Sequence, residues 1–167
     1  MEKEKNLIMD SRQVDQRINR IAYQIYEDNY TEKEIYIVGI KNKGYKFAEK
    51  IIAAMNNICK LKVNLRALTI DKSNQVEDNV KIEGDLKDLN NKSVIVVDDV
   101  LNSGKTIIYS MKALLEADTK KIRTALLVDR DHKRFPVMAD FVGMSLTTTM
   151  QEHVLVEFGK QTKVYLS

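Results

Sequence analysis

The sequence has few of the residues that build disulfide frameworks, metal centres and linkers. Its 167 residues include one cysteine, one proline and two histidines. Because Cys59 is alone and follows an apolar helical stretch, we interpret it as a packed or partly exposed thiol and not as a nucleophile. Metal chelation by cysteine and histidine is likewise unsupported. With no repeat, low-complexity tract or proline-rich linker, the chain is predicted to form a single domain over residues 1–167.

The sequence also lacks a long apolar run and an excess of one charge. No stretch reaches the roughly 18 apolar residues of a membrane span, and residues 1–6 lead directly into mixed sequence, so we expect a cytoplasmic protein without a membrane partner. The net charge of +3 comes from 27 basic and 24 acidic residues that are mixed along the chain. Nucleic-acid binders usually carry their basic residues in an arm or stripe, and this sequence has neither. Its mild positive charge fits an anionic substrate equally well.

Apolar periodicity predicts alternating helices and strands. A helix begins at a cap formed by Asp10 or Ser11, since apolar residues then recur every three or four positions. Further helices are predicted after residue 44 and over 105–116. Strands are predicted at 34–40, 62–70, 94–97 and 122–128. This order predicts an α/β fold with a central, mainly parallel sheet and helices on both faces.

Two regions depart from the alternation. Residues 71–84 are polar and aperiodic, which predicts a long, flexible loop or a hairpin. After Pro136 the sequence contains short strand-like pieces at 139–144, 154–158 and 164–166 with no helix between them. We interpret this tail as edge strands and a small β-rich cap, or hood, that begins near residue 136 and covers the carboxyl end of the sheet.

Residues 94–106 carry the most informative pattern of the chain. Four β-branched residues are followed by Asp98 and Asp99 and then by a small, hydroxyl-rich turn that opens a helix. Ligands of open parallel sheets bind at the carboxyl ends of strands. Glycine, hydroxyl groups and the free N–H groups of a helix start together predict a monophosphate site. A plain strand, turn and helix with surface acids is the alternative.

Two other phosphate motifs are excluded. A Walker A loop requires glycine five residues before Gly104, where Asp99 stands, and an acid there would repel a triphosphate. Gly39 and Gly44 have the correct separation, but Tyr45 occupies the lysine position. Neither segment is therefore predicted to bind ATP.

The acid pair followed by Ser-Gly-Lys-Thr resembles the phosphoribosyl diphosphate (PRPP) signature of type I phosphoribosyltransferases. The resemblance implies a type I phosphoribosyltransferase fold, with Mg²⁺ bound alongside PRPP and diphosphate. It implies that Asp98 and Asp99 face the ribose hydroxyls and lie nearest the metal, and that Asn102 occupies the position of the catalytic base. It further implies substrate contacts from Lys41, Asn42, Lys43, Gly44, Val100, Leu101, Ser103, Gly104, Lys105, Thr106, Asp129, Arg130, Phe141 and Val142.

Individual assignments within this set have alternatives. Lys43 follows the strand predicted at 34–40, where the family places its diphosphate loop, and would face diphosphate. The alternative is that the Lys-Asn-Lys-Gly turn is an ordinary solvent-exposed turn. Phe141 would stack on the base while the Val142 backbone reads its edge, unless Phe141 is a core aromatic. The loop at 71–84, with Lys72 and Ser73, would act as a lid or remain a loop without a catalytic residue.

Further segments resemble the PyrR group of uracil phosphoribosyltransferases, which also bind messenger RNA leaders. These segments are residues 17–22, 38–44, 127–132 and 136–143. Hypoxanthine-guanine phosphoribosyltransferases are the next relatives, but they carry lysine at the position of Asp129 and aspartate at that of Asn102. An ionised aspartate cannot donate a hydrogen bond to the 6-oxo group of a purine, and the amide of asparagine is not basic enough to take a proton from a ring nitrogen. Uracil is therefore the favoured base, and a 6-oxopurine is the alternative.

Two further roles stay open. An RNA regulator of the PyrR type is disfavoured because Tyr23, Met138 and Met144 replace basic residues or histidine of that group, and lost cations weaken RNA binding. A catalytically silent sensor of PRPP would share the same signature. The resemblance also implies a homodimer or homotetramer, for which Tyr23, Tyr26 and Tyr30 on the first helix are candidate interface residues.

Overall fold

The computed structural model describes residues 5–71 and 79–167. The predicted Lys72 and Ser73 lid residues lie outside this part of the chain. In chain order the elements are β1 (Asn6–Met9), α1 (Ser11–Asn29), β2 (Glu34–Ile40), α2 (Lys43–Ile58), β3 (Lys62–Asp71), β4 (Asn79–Ile82), a 3₁₀ helix (Leu86–Leu89), β5 (Ser93–Leu101), α3 (Lys105–Leu114), β6 (Lys121–Asp129), β7 (Phe141–Ser145), β8 (Val154–Glu157) and β9 (Lys163–Leu166).

The main sheet has the strand order β4-β3-β2-β5-β6-β7. All neighbouring pairs are parallel except β3 and β4, which form an antiparallel pair. Within the segment predicted as a loop or hairpin, Asn79–Ile82 is thus the return strand of a hairpin. Parallel pairing brings the carboxyl ends of β2, β5 and β6 to one edge of the sheet, which is where the acid pair lies.

Apolar side chains cover both faces of the sheet, as the uninterrupted apolar run in β5 predicts. One layer holds α1 and α2, where Ile21, Ile25, Phe47 and Ile51 are fully buried against the sheet. The opposite layer holds α3, with Ile107 packed on the other face. The prediction of a central, mainly parallel sheet with helices on both faces is confirmed.

Helix α1 begins where its capping residues predict. The Asp10 carboxylate accepts a hydrogen bond from the Gln13 backbone N–H at 2.8 Å, and the Gln13 side chain accepts one from the Asp10 N–H at 2.9 Å. This reciprocal capping box satisfies two N–H groups that would otherwise lack partners at the helix start. It fixes the first turn of a helix whose apolar side packs on the sheet.

A second, three-stranded sheet lies apart from the main one, in the order β1-β9-β8. Its strands are antiparallel, and β1 comes from the other end of the chain. The sequence did not predict β1. Of the strand-like pieces predicted after Pro136, β7 is an edge strand of the main sheet, whereas β8 and β9 belong to this small one. The separate β-rich part therefore combines residues 6–9 with the end of the chain.

Ion pairs tie together the amino ends of the main strands. The Glu34 carboxylate, at the start of β2, lies 2.6 Å from Lys92 Nζ and 3.2 Å from Lys62 Nζ. These contacts lower the pKa of Glu34 to about 2, chiefly through the hydrogen bond from Lys92 and then through that from Lys62. Farther along the same edge, Asp28 pairs with Lys121 at 2.9 Å and with Arg123 at 3.3 Å.

Candidate functional site

The acid pair lies at a step in the carboxyl edge of the sheet. Val97 is level with Gly39 of β2, which ends one residue later, so Asp98 stands at the edge on that side. On the other side β5 continues beside β6 to Leu101, and the predicted strand was therefore too short. Both acids are half-buried, and Asp98 Oδ1 accepts a hydrogen bond from the Asp99 N–H at 2.9 Å.

Gly104 shapes the turn between β5 and α3. It is the N-cap of α3 and has φ of +84°, a left-handed conformation that glycine adopts at little cost. A Cβ at this position would lie only 2.6 Å from Val137 Cγ2. The Ser103 hydroxyl accepts a hydrogen bond from the Lys105 N–H at 3.2 Å. The turn thus presents a helix start and two nearby hydroxyl groups, which is the composition expected of a phosphate site.

The turn between β2 and α2 reaches the acid pair through a close backbone contact. Gly44, in the first turn of α2, packs on the end of the buried strand β5. A Cβ there would lie 2.7 Å from the Val97 carbonyl oxygen and 2.9 Å from Asp98 Oδ1. Gly44 therefore lets the helix start approach the strand closely, which brings the Lys41–Lys43 segment beside the acids.

Two pockets meet at the acid pair. A pocket of about 620 Å³ brings together Asp98 and Asp99 with Thr69 and Ile70 of β3, Ile40, Lys41, Asn42, Lys43 and Thr106. A smaller one, of about 200 Å³, is lined by every residue from 98 to 107 and by Val154 of β8. The structure thus gathers most of the sequence-predicted site residues in one place. Thr69, Ile70 and Val154 were not anticipated, since nothing in their local sequence distinguishes them from ordinary strand residues.

Arg130 links this site to the loop before β8. Its Nη1 donates to Asn102 Oδ1 at 2.8 Å, although the arginine itself is only 8% exposed. Its Nε and Nη2 donate to the Thr148 hydroxyl at 3.0 and 2.9 Å. In the same loop, the pKa of Glu152 is lowered, chiefly by a hydrogen bond from the Thr149 backbone. The Thr149 side chain and the positive charge of Arg130 lower this pKa further. Arg130 therefore acts within the structure as a buried connector.

Phe141 and Val142, both predicted to receive the base, have contacts within the fold. The Phe141 ring is packed in the core layer beneath α1 and α2, at the start of β7, and is 8% exposed. The Val142 backbone was expected to read the edge of the base, and its carbonyl accepts a hydrogen bond from Arg20 Nη2 at 2.6 Å. Neither residue lines the two pockets at the acid pair. Phe141 thus packs as a core residue, and the contact of either residue with the base stays a prediction.

Asp129 also turns away from these pockets. Its Oδ2 lies 3.1 Å from Lys133 Nζ, and its Oδ1 accepts a hydrogen bond from the Asp131 N–H at 3.0 Å. Asp131 itself has φ of +58°, so the chain bends sharply there. These local contacts shape the turn after β6, and a contact of Asp129 with the substrate stays a prediction.

The donor set at the acid pair suits a metal that is bound mainly through its ligand. Across residues 5–71 and 79–167, no three histidine, cysteine, aspartate or glutamate side chains cluster so as to hold an ion. Asp98 and Asp99 nevertheless supply two carboxylates beside a phosphate-type turn. Mg²⁺ in phosphate sites usually takes one or two carboxylates together with substrate phosphates and water, so these residues fit it.

The comparisons with known proteins agree with this geometry. The model of the phosphoribosyl transferase domain matches residues 6–160. The chain belongs to the type I phosphoribosyltransferase family. Its enzyme class is accordingly that of the phosphoribosyltransferases, and members of this family generally use Mg²⁺ with PRPP. The resemblance found in the sequence is thus confirmed at the level of family and fold.

Relatives of similar length carry one name. The bifunctional protein PyrR of Macrococcus caseolyticus is 31% identical, with 98% of this chain and 99% of the relative covered. That of Haemophilus ducreyi is 36% identical, with 90% and 88% covered. Among solved structures, a hypoxanthine-guanine phosphoribosyltransferase of Bacillus anthracis matches with a TM-score of 0.75 and 22% identity, covering 92% of this chain and 88% of that one. At that identity the likeness concerns the fold alone.

Within residues 5–71 and 79–167, no helix is both long enough and apolar enough to cross a bilayer.

Proposed function

We propose that this protein transfers the phosphoribosyl group of PRPP to a nucleobase, with uracil as the favoured base, and releases diphosphate in nucleotide salvage. The observation that carries the proposal is the meeting of two pockets at Asp98 and Asp99. One pocket extends toward the lysines of the 41–43 turn and the other toward the start of α3. PRPP has anionic groups at both ends of a ribose, so this arrangement matches its charge distribution.

Each part of the site has a defined task in this proposal. The Asp98 and Asp99 carboxylates accept hydrogen bonds from the two ribose hydroxyls. The backbone N–H groups and hydroxyls of residues 103–106 hold the 5′-phosphate. Lys41 and Lys43 face the diphosphate, and their charge stabilises the negative charge that grows on it as the bond to C1 breaks. The residues therefore position PRPP and stabilise charge, with no covalent intermediate on the protein.

Mg²⁺ belongs to the same proposal. Asp98 and Asp99 are the residues that would contact it, directly or through water, while diphosphate and ribose oxygens supply the remaining positions. When bound, the ion supplies positive charge that makes diphosphate a better leaving group. The carboxylates then hold the sugar in place.

The choice of base follows from side chains that differ from those of the purine enzymes. Asn102 lines the smaller pocket and is bonded through its oxygen to Arg130. An amide cannot serve as the base that takes a proton from a purine ring nitrogen. Asp129 carries a carboxylate paired with Lys133 and does not offer the cation that a purine oxo group would need. Both features favour uracil over a 6-oxopurine.

The direct experiment measures diphosphate release from PRPP and Mg²⁺ with uracil, hypoxanthine, guanine, xanthine and adenine in parallel. We expect the highest kcat/KM with uracil. A higher value with hypoxanthine or guanine would establish the purine alternative. Binding of PRPP without release of diphosphate for any base would make the protein a sensor and contradict the proposed reaction.

An RNA-binding regulator is the second candidate, because the relatives at 31–36% identity are named bifunctional. Arg20 is one of the cations of α1 that could contact RNA, yet its Nη2 donates to the carbonyls of Val142 and Gly143 at 2.6 and 2.7 Å. Met138, at a position that is basic in the PyrR group, is 74% exposed. We therefore expect no salt-sensitive binding of an RNA hairpin in a gel-shift assay. A shift that weakens steeply with salt would favour the regulator.

The oligomeric state and location complete the proposal. Tyr23 and Tyr30 of α1 are largely exposed, and we propose that they contribute to contacts between copies in a cytoplasmic dimer or tetramer. Sedimentation analysis of the full chain measures this directly. A monomer at micromolar concentration would contradict it.

A further inference from the structure

We propose that Arg130 is a positioning residue for the smaller pocket at the acid pair, where it holds the wall formed by β8 against the turn before α3. The part of PRPP assigned to this pocket is ribose 5-phosphate. Arg130 therefore sets the affinity for that part of the substrate and leaves the affinity for diphosphate unaffected. The inference rests on the proposed function, because it uses the same division of PRPP between the two pockets.

The smaller pocket has walls from two separate parts of the fold. Residues 98–107, which span the end of β5, the turn and the start of α3, form most of its lining, and Val154 of β8 completes it. β8 belongs to the small three-stranded sheet and not to the main one. Among the described residues, the larger pocket is lined only by parts of the main sheet, its helices and the turns between them. Contacts that join the two sheets near Val154 therefore concern the smaller pocket.

Arg130 has hydrogen bonds on both sides of this pocket. It directly follows β6 of the main sheet, and its Nη1 donates to the oxygen of Asn102, a residue of the pocket lining. Its Nε and Nη2 donate to the Thr148 hydroxyl, and Nη2 also donates to the Glu152 carbonyl oxygen at 2.6 Å, two residues before β8 begins. One guanidinium group thus joins the turn on one wall to the segment that leads into the other wall.

Burial makes these hydrogen bonds costly to lose. Arg130 and Thr148 are 8% and 7% exposed, so water cannot readily replace a missing partner. Hydrogen bonds from a charged donor are also stronger than those between neutral groups. The His132 ring donates from Nε2 to the Thr148 carbonyl oxygen, a main-chain contact that does not depend on the Thr148 side chain. Removal of the Thr148 hydroxyl should therefore weaken the hold of Arg130 on this segment while the neighbouring contact stays.

The test measures the two halves of PRPP separately. Dissociation constants for ribose 5-phosphate and for diphosphate, each with Mg²⁺, are determined by calorimetry on the full chain. Thr148→Val keeps the shape of the side chain but removes the hydroxyl, Thr148→Ser keeps the hydroxyl, and Arg130→Lys keeps the charge but not the fork of donors. Arg66→Lys is the matched control, because the Arg66 side chain is 11% exposed, joins β3 to Asp85 and Asp88 of a loop, and lines neither pocket at the acid pair.

We expect Thr148→Val to weaken the binding of ribose 5-phosphate by about 10-fold, since a buried guanidinium group loses the acceptor of two hydrogen bonds. Arg130→Lys should weaken it at least as much, and Thr148→Ser should restore most of the affinity that Thr148→Val loses. Diphosphate binding should stay as in the wild type for these variants, and Arg66→Lys should bind both ligands normally. If Arg130→Lys does not fold, the two Thr148 variants still decide the question.

Three results would overturn the inference. They are equal weakening of both ligands by Thr148→Val, which indicates a general structural role, unchanged binding of ribose 5-phosphate in that variant, and no binding of ribose 5-phosphate to the wild type. A loss confined to Arg130→Lys falls under the second result and would indicate direct contact of Arg130 with the substrate.

The proposed function is tested separately, by diphosphate release from PRPP in the same preparations. Selective weakening of ribose 5-phosphate without transfer to any base would overturn the proposed function and support the positioning role of Arg130. Transfer to uracil together with equal weakening of both ligands would do the reverse.

Discussion

At the amino ends of the central strands, charged side chains contact one another, whereas at the carboxyl ends they line pockets. Glu34 lies between Lys62 and Lys92, and Asp28 lies between Lys121 and Arg123. At the opposite edge, Asp98, Asp99, Lys41 and Lys43 border a pocket of about 620 Å³. The first arrangement joins neighbouring elements, and the second suits a charged ligand. Stability and function are therefore expected to respond to substitutions at different ends of the same sheet.

The largest expected effect comes from the acid pair. The double variant Asp98→Asn with Asp99→Asn should lower kcat/KM for diphosphate release by about 10³-fold or more, because it removes the charge that holds ribose and metal. Its thermal midpoint should stay close to that of the wild type. Glu34→Gln is the matched control at the other edge, and it should leave kcat/KM unchanged. Full activity of the double variant would contradict the assignment of Asp98 and Asp99 to the ribose.

The next effect concerns the hydroxyls near the start of α3. Ser103→Ala with Thr106→Ala should raise the KM for PRPP by about 10- to 100-fold, since hydrogen bonds to a charged phosphate are lost. The change in kcat should be smaller. Ser145→Ala, an exposed residue at the end of β7, provides the control. An unaltered KM in the double variant would argue against a phosphate site at this turn.

Gly104→Ala tests whether the shape of that turn matters as well as its hydroxyls. Alanine at φ of +84° with Val137 Cγ2 at 2.6 Å is expected to destabilise the fold by about 1–2 kcal/mol. The thermal midpoint should fall by about 2–8 °C, and the KM for PRPP should rise. Gly159→Ala is the control, because a Cβ there meets only the Gln161 carbonyl oxygen at 3.8 Å. Equal stability of the two variants would show that the turn tolerates a side chain.

The smallest effect is the pH dependence of the ion pairs at the amino edge. The pKa of Glu34 falls from 4.5 to about 2 on folding, so the unfolded chain binds the proton more readily. The stabilisation is fully present above pH 4.5 and is lost as the pH falls toward 2. The thermal midpoint of Glu34→Gln should therefore be lower than that of the wild type at pH 7, with a smaller difference at pH 3. If the two thermal midpoints differ by the same amount at both pH values, the pH-dependent stabilisation does not come from Glu34.

Sequence patterns were sufficient where local chemistry determines the structure. The capping residues placed the start of α1, and the apolar segment at 34–40 gave the limits of β2. The acid pair and the glycine-containing turn indicated the candidate site, because consecutive residues of the chain form it. These elements depend on neighbours in the chain, so a single sequence contains the necessary information.

The parts that were missed depend on distant residues. β1 has only four residues, and its partner β9 begins more than 150 positions later. Val154 reaches the pocket only because β8 packs near the end of β5. Phe141 was assigned to the base from the family resemblance, because the local sequence around it does not distinguish a core aromatic on a strand from one in a binding site. Its burial is decided by α1 packing over β7, which no local motif reveals.

The close approach of Gly44 to Val97 limits how this site can vary. Because main-chain atoms set the separation between the 41–44 turn and the acids, side chains at 41–43 can change without moving the two halves of the site apart. Ligand preference on the diphosphate side can thus diverge among related chains while the spacing stays constant. Any residue larger than glycine at 44 would widen that spacing, so we expect this position to be the least replaceable of the turn.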